Sequence, residues 1–213
     1  MTHPILIMGA TSGIGALTVK EAKRREIPVR AFARSAGEME EHPLIDRAPG
    51  DALSPEDVAR ALTGTRAVIY ALGIKERLSM LWEEETLFSE STKVLLKAMK
   101  EAGPSRLVVV TGFGAGRSSK AMSWVERTGH RAILGRPYAD KDRQEALITE
   151  SDTDWTIARP VILTNNAAKA APRVLRDPAQ WRNGLVPRAA VAHYLLDAVE
   201  QELDIRTDVV LSR

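Results

Sequence analysis

The 213-residue chain has no cysteine, which excludes disulfides, thiolate metal sites and cysteine nucleophiles. Its four histidines, His3, His42, His130 and His193, are scattered without ligand spacing, so no metal site is expected. No apolar run approaches the ~20 residues of a membrane span, and the N-terminus leads straight into a strand pattern without signal-peptide features. A cytoplasmic protein with no membrane partner is the expectation. Charge of one sign is also lacking: thirty basic residues against twenty-eight acidic leave +2, too little to argue for nucleic acid. Repeats and low-complexity segments are absent. What remains, 44% hydrophobic and 27% charged, is the balance of an ordinary globular protein, with one sizeable core and one domain over residues 1–213.

The most informative stretch is near the start. Ile5, Leu6, Ile7 and Met8 read as a buried parallel strand, and Gly9, Ala10, Thr11, Ser12, Gly13, Ile14 and Gly15 as a phosphate-binding turn entering a helix. A pyrophosphate held by backbone N–H groups at a helix N-terminus needs a backbone without Cβ atoms in the way. Gly9 then makes the tight turn, Gly13 permits close approach and Gly15 lets helix and strand pack. A glycine triplet also occurs in plain structural turns, but Ala16, Leu17, Val19 and Ala22 supply a helical apolar face. Lys23, Arg24 and Arg25 follow where a helix C-terminus favours cations.

A second strand, from Val29 to Ala33, ends at Arg34 and Ser35, with no acid from Ile27 to Gly37. NAD-selective sites put Asp or Glu about 20 residues beyond the glycines, to bond the ribose 2′-hydroxyl. A guanidinium here suits a 2′-phosphate as counter-charge and forked donor, and points to NADP(H). A solvated strand-end arginine is the plainer alternative.

These residues resemble the short-chain dehydrogenase/reductase superfamily, whose main branch carries Thr-Gly-x-x-x-Gly-x-Gly at this place. Met8 replaces the threonine, and the three glycines fit. Gly9-Ala10-Thr11, Arg34, Gly50-Asp51 and Trp155-Thr156-Ile157-Ala158-Arg159-Pro160 resemble the atypical branch that includes NmrA-like proteins and biliverdin reductase B/flavin reductase. The resemblance implies a Rossmann-type α/β fold, a doubly wound parallel sheet with helices on both faces. It also implies that Asp51, with Ala52, lies near the adenine.

The rest of the chain alternates as such a sheet requires. Residues 44 to 49 make a poor strand by pattern, whereas Ser54-Pro55-Glu56-Asp57 reads as a capped helix start. Ala67 to Leu72 is a strand whose end, at Leu72 and Gly73, should border the cofactor's ribose and pyrophosphate. Trp82 to Ala102 reads as a long helix whose outer side offers a dimer face; a monomer or a homodimer is expected. The strand Leu107 to Thr111 ends at Gly112. Tyr138 to Thr149 reads as a helix, Asp154 to Ala158 as a strand, Ala189 to Glu200 as a helix and Asp208 to Leu211 as a strand. Arg159, Pro160, Val161 and Ile162 should turn past the nicotinamide end.

Ligands in such sheets lie beyond the strand carboxyl ends, where the two longest irregular stretches, about 113–137 and 163–187, should form the substrate side. The first has a mobile-loop composition with Trp124 as anchor or lid, or else a short surface helix over Ser123 to Leu134. Both are rich in Lys and Arg, which fits an anionic small-molecule substrate; a solvated basic face is the alternative.

The resembling family's catalytic Tyr-x-x-x-Lys is missing. Tyr70, Tyr138 and Tyr194 are followed at that spacing by Ile74, Asp142 and Ala198. Tyr138 and Lys141 are three apart, close enough to share a helix face but in another registry. Thr111 stands where a serine is common and offers a hydroxyl. Thr111, Tyr138 and Lys141 are thus the candidate catalytic residues, with Lys141 holding ribose or an anionic acceptor. The chemistry expected is hydride transfer from NADPH to a flavin-, quinone- or pigment-like acceptor that spreads the added charge itself. An NmrA-like NADP(H) sensor without turnover is the second reading, and an epimerase or dehydratase the third.

Overall fold

The computed structural model describes residues 3–73, 86–121, 138–168 and 170–213. Ile5–Met8 forms β1, with all four side chains wholly buried, as a continuous apolar run between two helical layers requires. The chain then enters α1 (Gly13–Arg24), which buries Ile14, Thr18, Val19 and Ala22 at helical spacing. β2 (Val29–Ala33) pairs parallel with β1.

β3 (Ile45–Pro49) is the outermost strand beyond β2. The sequence hides it because Asp46, Arg47 and Pro49 break any apolar alternation, and a sheet edge tolerates all three. In α2 (Pro55–Leu62), the Ser54 hydroxyl accepts the Asp57 N–H at 3.2 Å, and Asp57 in turn accepts the Asp51 N–H at 2.9 Å. β4 (Ala67–Tyr70), α3 (Leu87–Ala102), β5 (Arg106–Val110), α4 (138–149) and β6 (Asp154–Pro160) follow. Residues 82–85 of the expected long helix lie outside the described residues.

β7 (Ile162–Thr164), β8 (Arg173–Leu175) and β9 (Leu185–Pro187) precede α5 (Arg188–Glu200) and β10 (Thr207–Ser212). The main sheet runs β3-β2-β1-β4-β5-β6-β10-β8, parallel except for β8, and β7 pairs with β9 apart from it. The fold is therefore the doubly wound parallel sheet that the sequence implies. One apolar cluster packs α1 and α5 on one face, and the other packs α2, α3 and Ile148 of α4 on the opposite face. Strand order reverses between β1 and β4, which opens a crevice at their carboxyl ends.

Two expectations change. Residues 163–187 are not irregular: they hold three short strands and a 3₁₀ turn (Pro178–Gln180), anchored by buried Leu175 and Trp181. Residues 113–121 are packed, with Phe113, Ala115 and Ser118 buried and a 3₁₀ helix over Gly116–Ala121. Side-chain acceptors fix that turn, since Ser118 Oγ accepts the Gly114 N–H at 2.9 Å and Asp142 accepts the Gly116 N–H at 2.6 Å. Trp124 and the rest of that stretch lie outside the described residues. Among the described residues no helix is long and apolar enough to cross a membrane, and no cluster of His, Asp or Glu is arranged to hold a metal ion.

Candidate functional site

The glycine turn sits at the crevice, and its three glycines face different surroundings. A Cβ on Gly9, whose φ is +82°, would come within 2.6 Å of the Ala71 carbonyl oxygen on the next strand, and one on Gly15 within 2.2 Å of the Gly9 carbonyl oxygen. These two hold the helix tight against the sheet. At Gly13, φ is +55° and nothing lies within 4 Å. The first turn of α1 is thus open exactly where its N–H groups and dipole can receive a phosphate, and Ser12 makes no side-chain cap that would compete. Ile14 differs from its neighbours, because its side chain is buried in the α1 core and only its backbone belongs to the turn.

Arg34 extends from the end of β2 into solvent and, among the described residues, has no hydrogen-bond or ion-pair partner. Most other described arginines are engaged: Arg30 with Asp46, Arg47 with Glu41, Arg60 with Asp57. Beside Arg34, Ser35 Oγ donates to Thr11 Oγ1 at 3.2 Å, which ties the β2 end to the glycine turn. Asp51 and Ala52 follow β3, and Leu72 and Gly73 follow β4, along the same carboxyl edge.

At the end of β5 the structure brings together the three candidate catalytic residues. Lys141 on α4 donates from Nζ to the Thr111 carbonyl at 2.7 Å and lies 5.2 Å from the Phe88 ring centre and 5.3 Å from that of Tyr138. A Cβ at Gly112 would meet the Tyr138 hydroxyl oxygen at 2.8 Å, so glycine there lets the phenol reach the strand end. Burial lowers the Lys141 ammonium to about 8, against the opposing pull of the Glu145 carboxylate. Burial, then the same carboxylate, pushes Tyr138 up to about 12.

Thr111 departs from expectation. Its hydroxyl points inward and donates to Glu145 Oε1 at 2.6 Å, so its proton is not offered to the cleft. Arg159 also departs, lying within β6 as a buried guanidinium rather than turning past the cleft. It donates from Nη2 to Glu145 Oε2 at 2.7 Å and from Nε to Oε1 at 3.0 Å, and it pairs with Asp208 of β10. Arg117 closes the ladder on Asp208 through Nε at 2.7 Å, and the Trp181 ring lies 5.1 Å from Arg117 and 5.3 Å from Arg159. Sequence reasoning missed Glu145 and Asp208. For Glu145 a signal existed, because Tyr138, Lys141 and Glu145 share the i, i+3, i+7 face of one helix.

The basic loops are less cationic toward the cleft than their composition suggests. Arg117, Arg143 and Arg176 are taken up by Asp208, Asp140 and Asp204. Pro160 is buried at the end of β6, Val161 is buried beside it, and Ile162 is 56% exposed at the start of β7. Lys169 lies outside the described residues.

A family model described as NAD(P)H-binding matches residues 9–202. The NAD(P)H azoreductase of Xenophilus azovorans is 25% identical over 180 residues, which cover 83% of this chain. The chain spans only 54% of that relative's length. Among solved structures, the anaerobilin reductase ChuY of Escherichia coli O157:H7 superposes with a TM-score of 0.80 at 24% identity, over 98% of this chain and 96% of that one. A short-chain dehydrogenase/reductase of Veillonella parvula DSM 2008, solved in complex with NADP, gives 0.82 at 20% identity, over 100% of this chain and 95% of that one. At these identities the two structures speak to the fold.

Proposed function

The chain belongs to this NAD(P)H-binding family, and from that premise we propose that it is an NADPH-dependent reductase whose acceptor is a flavin, quinone, azo compound or linear pigment. The observation that carries the reading is the Lys141 ammonium held at the end of β5 beside a Tyr138 phenol that keeps its proton. Such a pair orients and offers positive charge but supplies no strong acid, which suits an acceptor that spreads the incoming charge over its own conjugated system.

The site residues fit the dinucleotide. Gly13, left open between two packed glycines, and the backbone of Thr11, Ser12, Ile14 and Gly15 would hold its pyrophosphate. Arg34 and Ser35, with Thr11, would take a 2′-phosphate, and the unengaged guanidinium favours NADPH over NADH. Asp51 and Ala52 would border the adenine, and Leu72, Gly73, Gly112, Pro160, Val161 and Ile162 the ribose and nicotinamide. The nicotinamide, when bound, supplies a hydride. Lys141 would hold a proton at Nζ and orient ribose or acceptor, and Tyr138 would exclude water from the strand end. The azoreductase relative and the anaerobilin reductase neighbour support an extended conjugated acceptor.

The test is an anaerobic single-turnover assay with NADPH, then NADH, against FMN, riboflavin, quinones, biliverdin, an azo dye and simple carbonyls. Oxidation of NADPH above the protein-free background by a conjugated acceptor, with preference over NADH abolished in Arg34→Ala, is expected. Tight NADPH binding with no oxidation by any acceptor would favour a sensor instead.

A further inference from the structure

We infer that the cavity between the β7–β9 ribbon, β8 and the start of α5 is a binding site for the anionic end of an organic acceptor, with an oxyanion held by Arg173, Ser212 and Thr164. The cavity encloses about 540 Å³, within the range of sites that take small organic ligands. Its walls are largely apolar, from Ala167, Ala171, Pro172, Leu185, Pro187 and Ala190.

Into these walls the structure sets a few polar groups, and all of them can donate. Ser212 lines the cavity at only 8% exposure, and among the described residues its hydroxyl has no hydrogen-bond partner. Its oxygen is open at the cavity surface rather than sealed in the core, so it is free to donate to a ligand acceptor there. Thr164 contributes a second unengaged hydroxyl and Arg173 an unengaged guanidinium. Of the nearby arginines, Arg176 is committed to Asp204 and Arg188 to Asn165 at 2.8 Å, while Arg173 of β8 and Arg213, which also lines the cavity, have no side-chain partner among the described residues. Among the described residues, no Asp or Glu lines the cavity. Two guanidiniums, from Arg173 and Arg213, with the Thr164 and Ser212 hydroxyls and the Asn166 amide, set among alanine, proline and leucine, favour a carboxylate or similar oxyanion on an apolar body.

Position makes this the far end of the acceptor. β7 leaves the main sheet just after Val161, and Thr164 stands two residues beyond Ile162, about 7 Å along the strand. Ile162 and Leu185 face each other in the β7–β9 register and are 56% and 52% exposed, an apolar strip from the expected nicotinamide end to the cavity. An elongated molecule with its reducible part near Val161 would lay its anionic arm in the cavity. That linkage rests on the reductase reading; the anion site itself does not.

The experiment titrates the protein, without cofactor, with para-phenylazobenzoate and with its uncharged methyl ester. Tighter binding of the carboxylate is expected, weakened about tenfold by Arg173→Gln and several-fold by Ser212→Ala, with ester and NADPH binding unchanged in both variants. Equal affinity for acid and ester, or an unchanged carboxylate affinity in both variants, would overturn the assignment. The same variants in the single-turnover assay separate the two readings. Carboxylate binding as expected with no NADPH oxidation would sink the reductase and leave the anion site, whereas NADPH oxidation with no effect of either variant would do the reverse.

Discussion

Lys141 is held between opposing influences: burial against Phe88 and Tyr138 favours its neutral form, and the Glu145 carboxylate one turn along α4 favours its charge. Asp140 points instead to the α3 amides and Asp142 to the Gly116 N–H, so Glu145 is the acid that matters. Glu145 is in turn held in place by hydrogen bonds from Arg159 and the Thr111 hydroxyl. If Lys141 must be charged to orient the acceptor, the single-turnover rate falls as pH rises through about 8. In Glu145→Gln one negative charge is gone while an amide oxygen still accepts from Thr111. The fall should therefore move to lower pH, and a stopped-flow pH profile reads it. A profile that does not move would remove Glu145 as a positioning residue.

At the scale of elements, α3 and α4 are joined by polar contacts that a hydrophobic pattern does not reveal. The wholly buried Asp140 carboxylate accepts the N–H groups of Phe88 at 2.8 Å and Ser89 at 3.3 Å, capping α3 from a different helix. Gln144 reaches Thr92 at 3.0 Å, and Tyr70 of β4 shares a hydrogen bond with Ser91 at 2.7 Å. Asp140→Ala leaves two buried N–H groups unpaired and should cost about 2 kcal/mol, with Asp140→Asn, which keeps one acceptor, costing about half as much. Urea unfolding compares them; equal losses would show that the carboxylate is not acting as a cap. The same contacts set Phe88 beneath Lys141, so the cap also serves the site.

Across the whole molecule, the first and last helices are tied through Glu21. Hydrogen bonds from Arg24, then Arg25, hold its carboxyl at about 2, below its ordinary 4.5, against the opposing effect of burial. Arg25 continues to Asp197 of α5 at 2.5 Å. A depressed carboxylate contributes stability that is complete above its unfolded value and lost as pH falls through its folded one. Stability should decline between pH 4.5 and 2, and Glu21→Gln should flatten that part of a urea-midpoint profile. An equally steep decline in the variant would assign the acid sensitivity to other groups.

The sequence by itself determined the sheet and its nucleotide half. An unbroken apolar run, a glycine turn and a capped helix are local patterns, and local geometry follows from local residue types. The place of Arg34, directly after β2, was legible for the same reason. The tertiary structure alone decided what faces what across elements. It turned the Thr111 hydroxyl inward to Glu145, drew Arg159 into a buried ladder with Asp208, and spent Arg117 and Arg176 on internal partners. It also admitted β3 as a strand, because an edge accepts residues that a central position rejects. Charge counts along the chain could not foresee this: an arginine's role depends on which carboxylate the fold brings within reach, and those partners come from distant parts of the chain.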